Sequence, residues 1–550
     1  MIKSISSLLF VLLISLTIVR AQQTVGLFQN DVEAFNGYTL FSPSVSTNTF
    51  LIDNCGRLIN SWDGGLLPGA STYLLENGDI IRAVRVGSQF FVGGGIGGMI
   101  QQIDWNDNLV WSFEYASMDV HHHHDMAVLP NGNVLLIAWE SKNEAQAIAA
   151  GRDPDKLGTA LWPDHIVEVQ PNGNSGGTIV WEWHFWDHLI QDFDPTKANY
   201  GVVADHPELL DVNYLGHVPS MTGSDWIHCN AINYNAERDE IMLSSRHLNE
   251  IYIIDHSTTT QEAAGHTGGN AGKGGDFLYR YGNPQAYQRG IASDQKNFGQ
   301  HDAQWIAPGL PDQGKIMFYN NGIGRPAGAF SSIDVIDPPM DSGGHYSIEP
   351  GEPFGPTELF WTYVSNPPGE LFSPNISGAH RLPNGNTLIC EGASGNFIEV
   401  SPSGERHWFY KNPIGVGGPI AQGQTSIFTA VFRAYRYGSD YSAFDGRDLT
   451  PGAVLELEPL PSDCSISVPT KELAVAKTIH VYPNPFQGHV VISSDLQLQG
   501  DISVIDALGR KVFNTYVNSN QIRIDLSDLE AGMYLLQLPS QSVVKLICYP

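Results

Sequence analysis

Four histidines stand at comparable places in the chain, each at the entry to a stretch that reads as a strand. They are His124 before Asp125, His228 before Cys229 and Asn230, His301 before Asp302 and Ala303, and His380 between Ala379 and Arg381. Two arginines follow histidine strands: Arg246 ends Leu243-Ser244-Ser245-Arg246, and Arg325 closes Asn320-Asn321-Gly322-Ile323-Gly324-Arg325. A guanidinium presents a planar fork of donors that meets two oxygens of a tetrahedral anion such as a sulfate ester. A neutral imidazole can attack the central atom of such an anion while others donate hydrogen bonds to the developing charge. The glycines around Arg325 suit a turn that brings its guanidinium close to a bound oxyanion.

Each residue also has a plainer reading. A single histidine here could satisfy backbone carbonyls along a narrow channel, and only the set argues for chemistry. His124 either joins the site or supports it, and Arg246 either binds substrate or pairs with a buried acid. His121, His122 and His123 are expected on alternating strand faces, partly solvated. Trp181, Trp183, Phe185 and Trp186 read as packing rather than as an aromatic wall for a ligand. The histidine register is not uniform: counted back from the Leu-Pro-Asn-Gly turn, His380 sits three residues inside the place of His124.

The elements that would position these groups come from an irregular internal repeat. Leu129-Pro130-Asn131-Gly132-Asn133 recurs as Leu382-Pro383-Asn384-Gly385-Asn386, with a looser copy at Leu75-Glu76-Asn77-Gly78-Asp79. Each reads as strand, type I′ Asn-Gly turn, strand. A second element ends in tryptophan: Ile103-Asp104-Trp105 leading to Trp111, Val167-Glu168-Val169 leading to Trp181, and Ile398-Glu399-Val400 leading to Trp408. Two hairpins make a four-stranded unit, and inner hairpins are expected at 73–83, 127–139, 231–246, 303–321, 380–391 and 426–437. That predicts an all-β fold: a six-bladed β-propeller, with five or seven blades and a pair of stacked sandwiches as alternatives. In a propeller, residues entering the innermost strands ring the mouth of a central channel, where side chains far apart in sequence meet. The Gly- and Thr-rich stretch 257–275 reads as a rim insertion.

With 58 acidic against 29 basic residues and a formal net charge of −29, the chain repels nucleic-acid backbones and anionic lipid, so neither is an expected partner. Surface calcium is compatible with this charge. Lys3, the apolar run 8–19 and Val19-Arg20-Ala21 read as a signal peptide over 1–21, with the mature chain starting at Gln22. The run is short for a membrane anchor, and no later segment is long and apolar enough to span. The five cysteines, Cys55, Cys229, Cys390, Cys464 and Cys548, form no C-x-x-C pair, and spacing does not decide whether any are bridged.

Residues 22–460 form the propeller in this reading. A polar linker follows over 461–478, and short alternating strands over 479–550 read as a small sandwich. Tyr482-Pro483-Asn484-Pro485-Phe486, the turn Asp506-Ala507-Leu508-Gly509-Arg510, Ala531-Gly532-Met533-Tyr534 and Val543-Val544-Lys545-Leu546 together resemble the C-terminal sorting domain of type IX secretion. The resemblance implies recognition by that machinery and a secreted or cell-surface protein.

A second resemblance covers most of the mature chain. Asp225-Trp226-Ile227-His228-Cys229-Asn230, Asp239 to Arg246, Gln300-His301-Asp302, Asn320 to Arg325, Gly378-Ala379-His380 and Phe432-Arg433-Ala434-Tyr435-Arg436 occur in an order that resembles the bacterial arylsulfotransferases, the PAPS-independent aryl-sulfate sulfotransferases. The resemblance implies transfer of a sulfuryl group from an aryl sulfate donor to a phenolic acceptor through a sulfated histidine. By motif order it implies His380 as nucleophile, with His228, His301 and Arg325 holding the sulfuryl oxygens; Arg246 and His124 are the further candidates for binding substrate. The His121–His124 run and the polar segment 183–211 depart from the pattern and leave donor and acceptor undefined. No G-x-x-x-x-G-K-S/T loop for a nucleotide donor occurs, and no cofactor or metal is expected. Two other readings stay open: a three-histidine metalloenzyme, and a non-catalytic propeller for surface binding. An arginine beside a dication is unfavourable and beside a sulfate useful, which separates the first of these.

Overall fold

The computed structural model describes residues 23–216, 224–425, 427–460, 464, 479–482, 486–506, 510–529, 532–538 and 543–548. The 1–21 leader lies outside the described residues, as do the 461–478 linker apart from Cys464, Ala507-Leu508-Gly509, Ala531 and Pro483-Asn484-Pro485. The chain divides into two units, Met1–Ile466 and Ser467–Pro550.

Turn chemistry organises the first unit locally. Gly132 N–H donates to Leu129 O at 2.9 Å, Leu129 N–H donates to Asn133 O at 2.8 Å, and Gly132 sits at φ 85°. The turn ending at Gly385, φ 90°, repeats this pattern. These are not the expected type I′ turns. Proline opens the turn at its second position, the asparagine stays out of the left-handed region, and positive φ falls on glycine alone, as in a type I turn closed by a bulge. The Asn131 side chain accepts the Asn133 N–H at 2.9 Å, which favours the same geometry.

The hairpins assemble into six antiparallel four-stranded groups, the first two joined into one eight-stranded sheet through a parallel bridge between Ala70 and His124. In order of their first strands these are Pro68–Leu74 with Ile80–Arg85, Gly98–Ile103 and Leu109–Glu114; Val120–Val128 with Val134–Glu140, Asp164–Pro171 and Gly177–His184; and Cys229–Asn235 with Glu240–Ser245, Glu250–Asp255 and Tyr279–Tyr281. Next come His301–Trp305 with Ile316–Asn320, Ser332–Ile336 and Trp361–Tyr363, then Gly378–Arg381 with Thr387–Glu391, Asn396–Val400 and Arg406–Lys411. The sixth joins the two ends of the unit: Val431–Gly438 pairs with Gly37–Pro43, followed by Asn48–Asp53 and Leu58–Asp63. The stretch 426–437 is therefore not a hairpin. It contributes one strand, and its partner comes from the start of the chain. Strand Gly26–Asn30 similarly adds to the edge of the fifth group.

Each first strand contacts the first strands of its two neighbours, closing a ring in the order given. Six apolar clusters follow, one between each adjacent pair of groups. Outer-strand aromatics tie the same pairs together. Trp62, Trp111, Trp181, Trp361 and Trp408 donate their indole N–H to Asp104 O, Gly176 O, Thr258 Oγ1, Pro402 O and Asn54 O, each on the next group, and Tyr279 O–H reaches Gly355 O. A Cys55–Cys464 disulfide ties the end of the unit back to a turn near its start.

The second unit is one five-stranded sheet of Ile479–Tyr482, His489–Ile505, Lys511–Asp525, Gly532–Gln537 and Val543–Cys548. Four of the short strands expected from sequence are the ends of two long ones, whose pairing breaks between Ser493 and Leu498. Phe486, Val490, Ile492, Ile502, Val504, Leu536 and Leu546 form its core.

Candidate active site

At one residue in or beside three of the ring strands the backbone enters the left-handed region: His124 at φ 58° within Val120–Val128, His228 at φ 57° just before Cys229, and Asp302 at φ 57° near the start of His301–Trp305. The ladder register shifts around each: opposite Leu136/Ala138 across His124, at Cys229/Ala231 just after His228, and at His301/Gln304 across Asp302. A bulge re-aims the side chains at a strand end, and here it brings groups from different sheets together. The equivalent position on the fifth group is Ser377, φ 90°, rather than His380.

The result is a buried imidazole cluster. His124 and His228 meet edge to face with ring centroids 4.6 Å apart, and His228 stacks on His247 at 4.4 Å. His301 lies within electrostatic reach of both His124 and His228. His228 Nδ1 lies 2.6 Å from Asp225 Oδ2, and Asp225 Oδ1 takes the Trp139 indole N–H at 3.1 Å. Burial works against ionisation of Asp225, but His228, His247 and His123 outweigh it and hold the carboxyl down to about 2. An ionised Asp225 makes Nδ1 of His228 the donor; in the neutral ring Nε2 then carries the lone pair, and it has no hydrogen-bond partner among the described residues.

Arg246 completes the cluster. Burial lowers the pKa of its guanidinium against the pull of Asp225, its charge depresses His301 and His247, and its buried Nε–H has no hydrogen-bond partner among the described residues. A desolvated guanidinium with a free donor, beside neutral imidazoles, is suited to an anion. Burial first, and neighbouring histidines second, hold His124 well below the usual histidine range.

The floor beneath is an ion-paired hub. Arg433, from the ring strand of the sixth group, reaches Asp125 at 2.7 Å, Asp302 at 3.0 Å and Asn230 O at 2.9 Å. Tyr73 O–H donates to Asp125 at 2.6 Å. Burial disfavours the charge on Arg433, yet the two carboxylates hold its pKa well above the ordinary arginine value. Five of the six groups meet at this hub.

The other sequence candidates lie differently. His301 is committed at both ring nitrogens, Nδ1 toward Asn321 Oδ1 at 2.8 Å and Nε2 accepting Ile376 N–H at 3.1 Å. His380 lies between the fifth and sixth groups, stacked on Tyr435 at 5.2 Å, with Nε2 accepting Arg436 N–H at 3.0 Å. Burial and the Arg436 charge hold His380 to about 3. Arg325 is sandwiched by Phe330 and Phe298 and bonds Ser332 Oγ at 3.0 Å. His121, His122 and His123 are fully buried, not partly solvated: the second ring strand is covered by the loop 93–98 on one side and by Trp139 on the other. His123 bridges Asp164 Oδ1 at 3.0 Å to His124 Nδ1 at 2.7 Å. Burial raises Asp164 to about 8.

Sequence reasoning missed Asp225 as a partner of His228, His247 beside Arg246, the Arg433 hub and the loop Gly93-Gly94-Gly95. The glycine run was the readable signal: a Cβ on Gly95 would lie 2.0 Å from His124 Nε2. Among the described residues no three histidines converge as metal ligands; the group within reach here is Asp225, His228 and His247.

Solved structures similar to the chain include a protein of unknown function from Bacteroides caccae (9% identity, 73% of this chain and 99% of that one, TM-score 0.39). Another is a putative 6-phosphogluconolactonase from Bacteroides fragilis (9%, 74% and 99%, TM-score 0.35). A third is a catalytically inactive virginiamycin B lyase from Staphylococcus aureus with quinupristin (9%, 72% and 90%, TM-score 0.30). No curated protein matches the chain significantly. Residues 480–547 match the secretion system C-terminal sorting domain, which marks the protein for export through type IX secretion to the cell surface or medium. Residues 95–412, more than half of the chain and spanning the whole histidine cluster, match the arylsulfotransferase (ASST) model, and the chain belongs to the arylsulfotransferase family.

Proposed function

We propose that this protein moves a sulfuryl group from an aryl sulfate to a phenolic acceptor through a histidine-bound intermediate, without PAPS. Family membership supports sulfotransfer in general. The observation that carries the finer reading is His228 held through Nδ1 by an ionised Asp225, in a cluster where Arg246, coupled to His247 and His301, keeps an unpartnered buried donor among the described residues. The Nε2 lone pair attacks sulfur, the bond from sulfur to the aryl oxygen breaks, and the aryl oxygen leaves and takes up a proton. An acceptor phenol then loses its proton, its oxygen attacks the same sulfur, and His228 is restored. Arg246 balances charge on the sulfuryl oxygens, and His124 meets the His228 ring edge to face from the second group.

Motif order places the intermediate on His380, with His301 and Arg325 on the oxygens. In the free chain His380 Nε2 and both nitrogens of His301 already have partners, so the geometry favours His228 as nucleophile. In this reading the first unit is a six-bladed β-propeller over 22–460, preceded by a cleaved signal peptide over 1–21. The linker 461–478 leads to a sorting domain over 479–550 that closes as a small sandwich.

The test is incubation of the purified chain with 4-nitrophenyl sulfate, with and without phenol, followed by mapping of the labile sulfohistidine. Phenol-dependent nitrophenolate release with the label on His228 is the expected outcome. A label on His380 restores the motif-order assignment. No release with any donor points instead to a binding propeller.

A further inference from the structure

Away from the histidine cluster, the rim insertion between the third and fourth strands of the third group folds back on the end of the second group. Its short helix Thr260–Ala263 is capped by Thr259 and Glu262, and the following Gly-rich turn brings His266 and Asp276 beside His188. His188 is fully buried and stacks on Trp183 with ring centroids 5.5 Å apart at 8°. Gly275 makes the approach possible: a Cβ there would lie 2.6 Å from His188 Nε2 and 2.0 Å from Ala263 O.

Hydrogen-bond accounting at His188 leaves a positive species to be supplied. Its Nε2 faces Ala263 O at 2.8 Å, and a carbonyl oxygen only accepts, so Nε2 carries the proton. Its Nδ1 then holds a lone pair in the neutral ring, yet it faces Asp276 Oδ1 at 2.8 Å. His266 Nδ1 approaches the same oxygen, also at 2.8 Å. The three ligand atoms lie within 4.8 Å of one another. Imidazole nitrogens with one N–H held by a carbonyl are the usual form of metal-bound histidine.

We propose that His188 Nδ1, His266 Nδ1 and Asp276 Oδ1 bind a divalent transition metal of the zinc class, which clamps the 256–277 insertion onto the second group. Two imidazoles and one carboxylate leave a fourth, solvent-side position for water, since His266 is 59% exposed. Metal–ligand bonds of about 2.0–2.2 Å need each Nδ1 and the Asp276 oxygen, now 2.8 Å apart, to part by only about half an ångström. The site is remote in sequence and chemistry from the sulfuryl-transfer cluster, and it uses none of that cluster's residues.

The test uses the full chain, freed of metal with a chelator, loaded with one equivalent of zinc, desalted and analysed for bound metal. Thermal unfolding is recorded with and without zinc. The expected result is about one chelator-removable zinc per chain and a rise in Tm of at least about 3 °C. His266→Ala, an exposed change that leaves the apo Tm unaltered, should abolish both, and Asp276→Asn should weaken zinc retention at least about tenfold. Zinc retained undiminished by His266→Ala would place the metal elsewhere and overturn the proposal. Absence of zinc binding in the unaltered chain would do the same.

Discussion

His228 and Asp225 are three residues apart in sequence and 2.6 Å apart in space, with Nδ1 of the imidazole on a carboxylate oxygen. In the proposed mechanism that contact decides which nitrogen of His228 reacts. Asp225 is itself held by Trp139 from the second group, so the tautomer of one sheet's histidine is set partly by its neighbour.

Asp225→Asn keeps the shape and removes the charge. The amide can donate to Nδ1, which moves the ring proton to Nε2 and blocks attack. Turnover should fall about a thousandfold or more, with a small change in KM, as measured by steady-state kinetics with an aryl sulfate. An unaltered kcat would show that Asp225 does not set the nucleophile.

Gly95→Ala should impair chemistry more than folding. The position has φ 70°, and the new methyl would meet His124 Nε2. His124 must move, and kcat/KM should drop at least about tenfold while the unfolding midpoint shifts modestly. Equal activity in the variant would mean that the loop 93–98 does not press on the site.

Stability should peak near neutral pH. Burial holds His122, His165, His247 and His380 to about 3 against an ordinary 6.5. Their folded forms stay neutral while the unfolded chain takes up protons, so stability is lost as pH falls from about 6.5 toward 3. Asp164 and Asp302, raised by burial to about 8 and about 7 from 3.8, act oppositely. They keep protons that the unfolded chain releases, so their contribution is present below 3.8 and lost as pH rises through those higher values. The imidazoles dominate below their unfolded value and only the carboxyls operate above it. A Tm profile should therefore rise from about pH 4, peak near about 6.5 and decline toward about 8.5. A profile still rising at its alkaline end would contradict the buried protonated carboxyls.

Reduction should loosen the first unit. Cys55 and Cys464 close a loop of 409 residues. Cys55→Ser should destabilise the fold by about 2–5 kcal/mol, read from denaturant unfolding, and make the chain insensitive to added reductant. Equal midpoints for the two proteins would show that the bridge does not constrain the unfolded chain.

Much of the architecture was legible because its causes are local. The Pro-Asn-Gly turns, the alternating strands and the terminal tryptophans place five of the six first hairpins, each formed by residues near in sequence. Asn-Gly suggests a turn with two left-handed residues, whereas the preceding proline lets glycine alone supply positive φ. The sixth strand was misread because 431–438 carries no sign that its partner is 37–43.

By itself the sequence determined which residue types enter the ring strands, the acidic surface and the two family resemblances. These depend on composition and order along the chain. Which histidines meet, and with what tautomer, was decided only in three dimensions. Bulges at the strand entries bring together His124, His228 and His301, and Asp225 orients one of them. The register within the fifth group instead turns His380 into the gap beside Tyr435. The same holds for Arg433, whose carboxylate partners come from two other sheets. Electrostatic partnership depends on separation and burial, and neither is written in the order of residues.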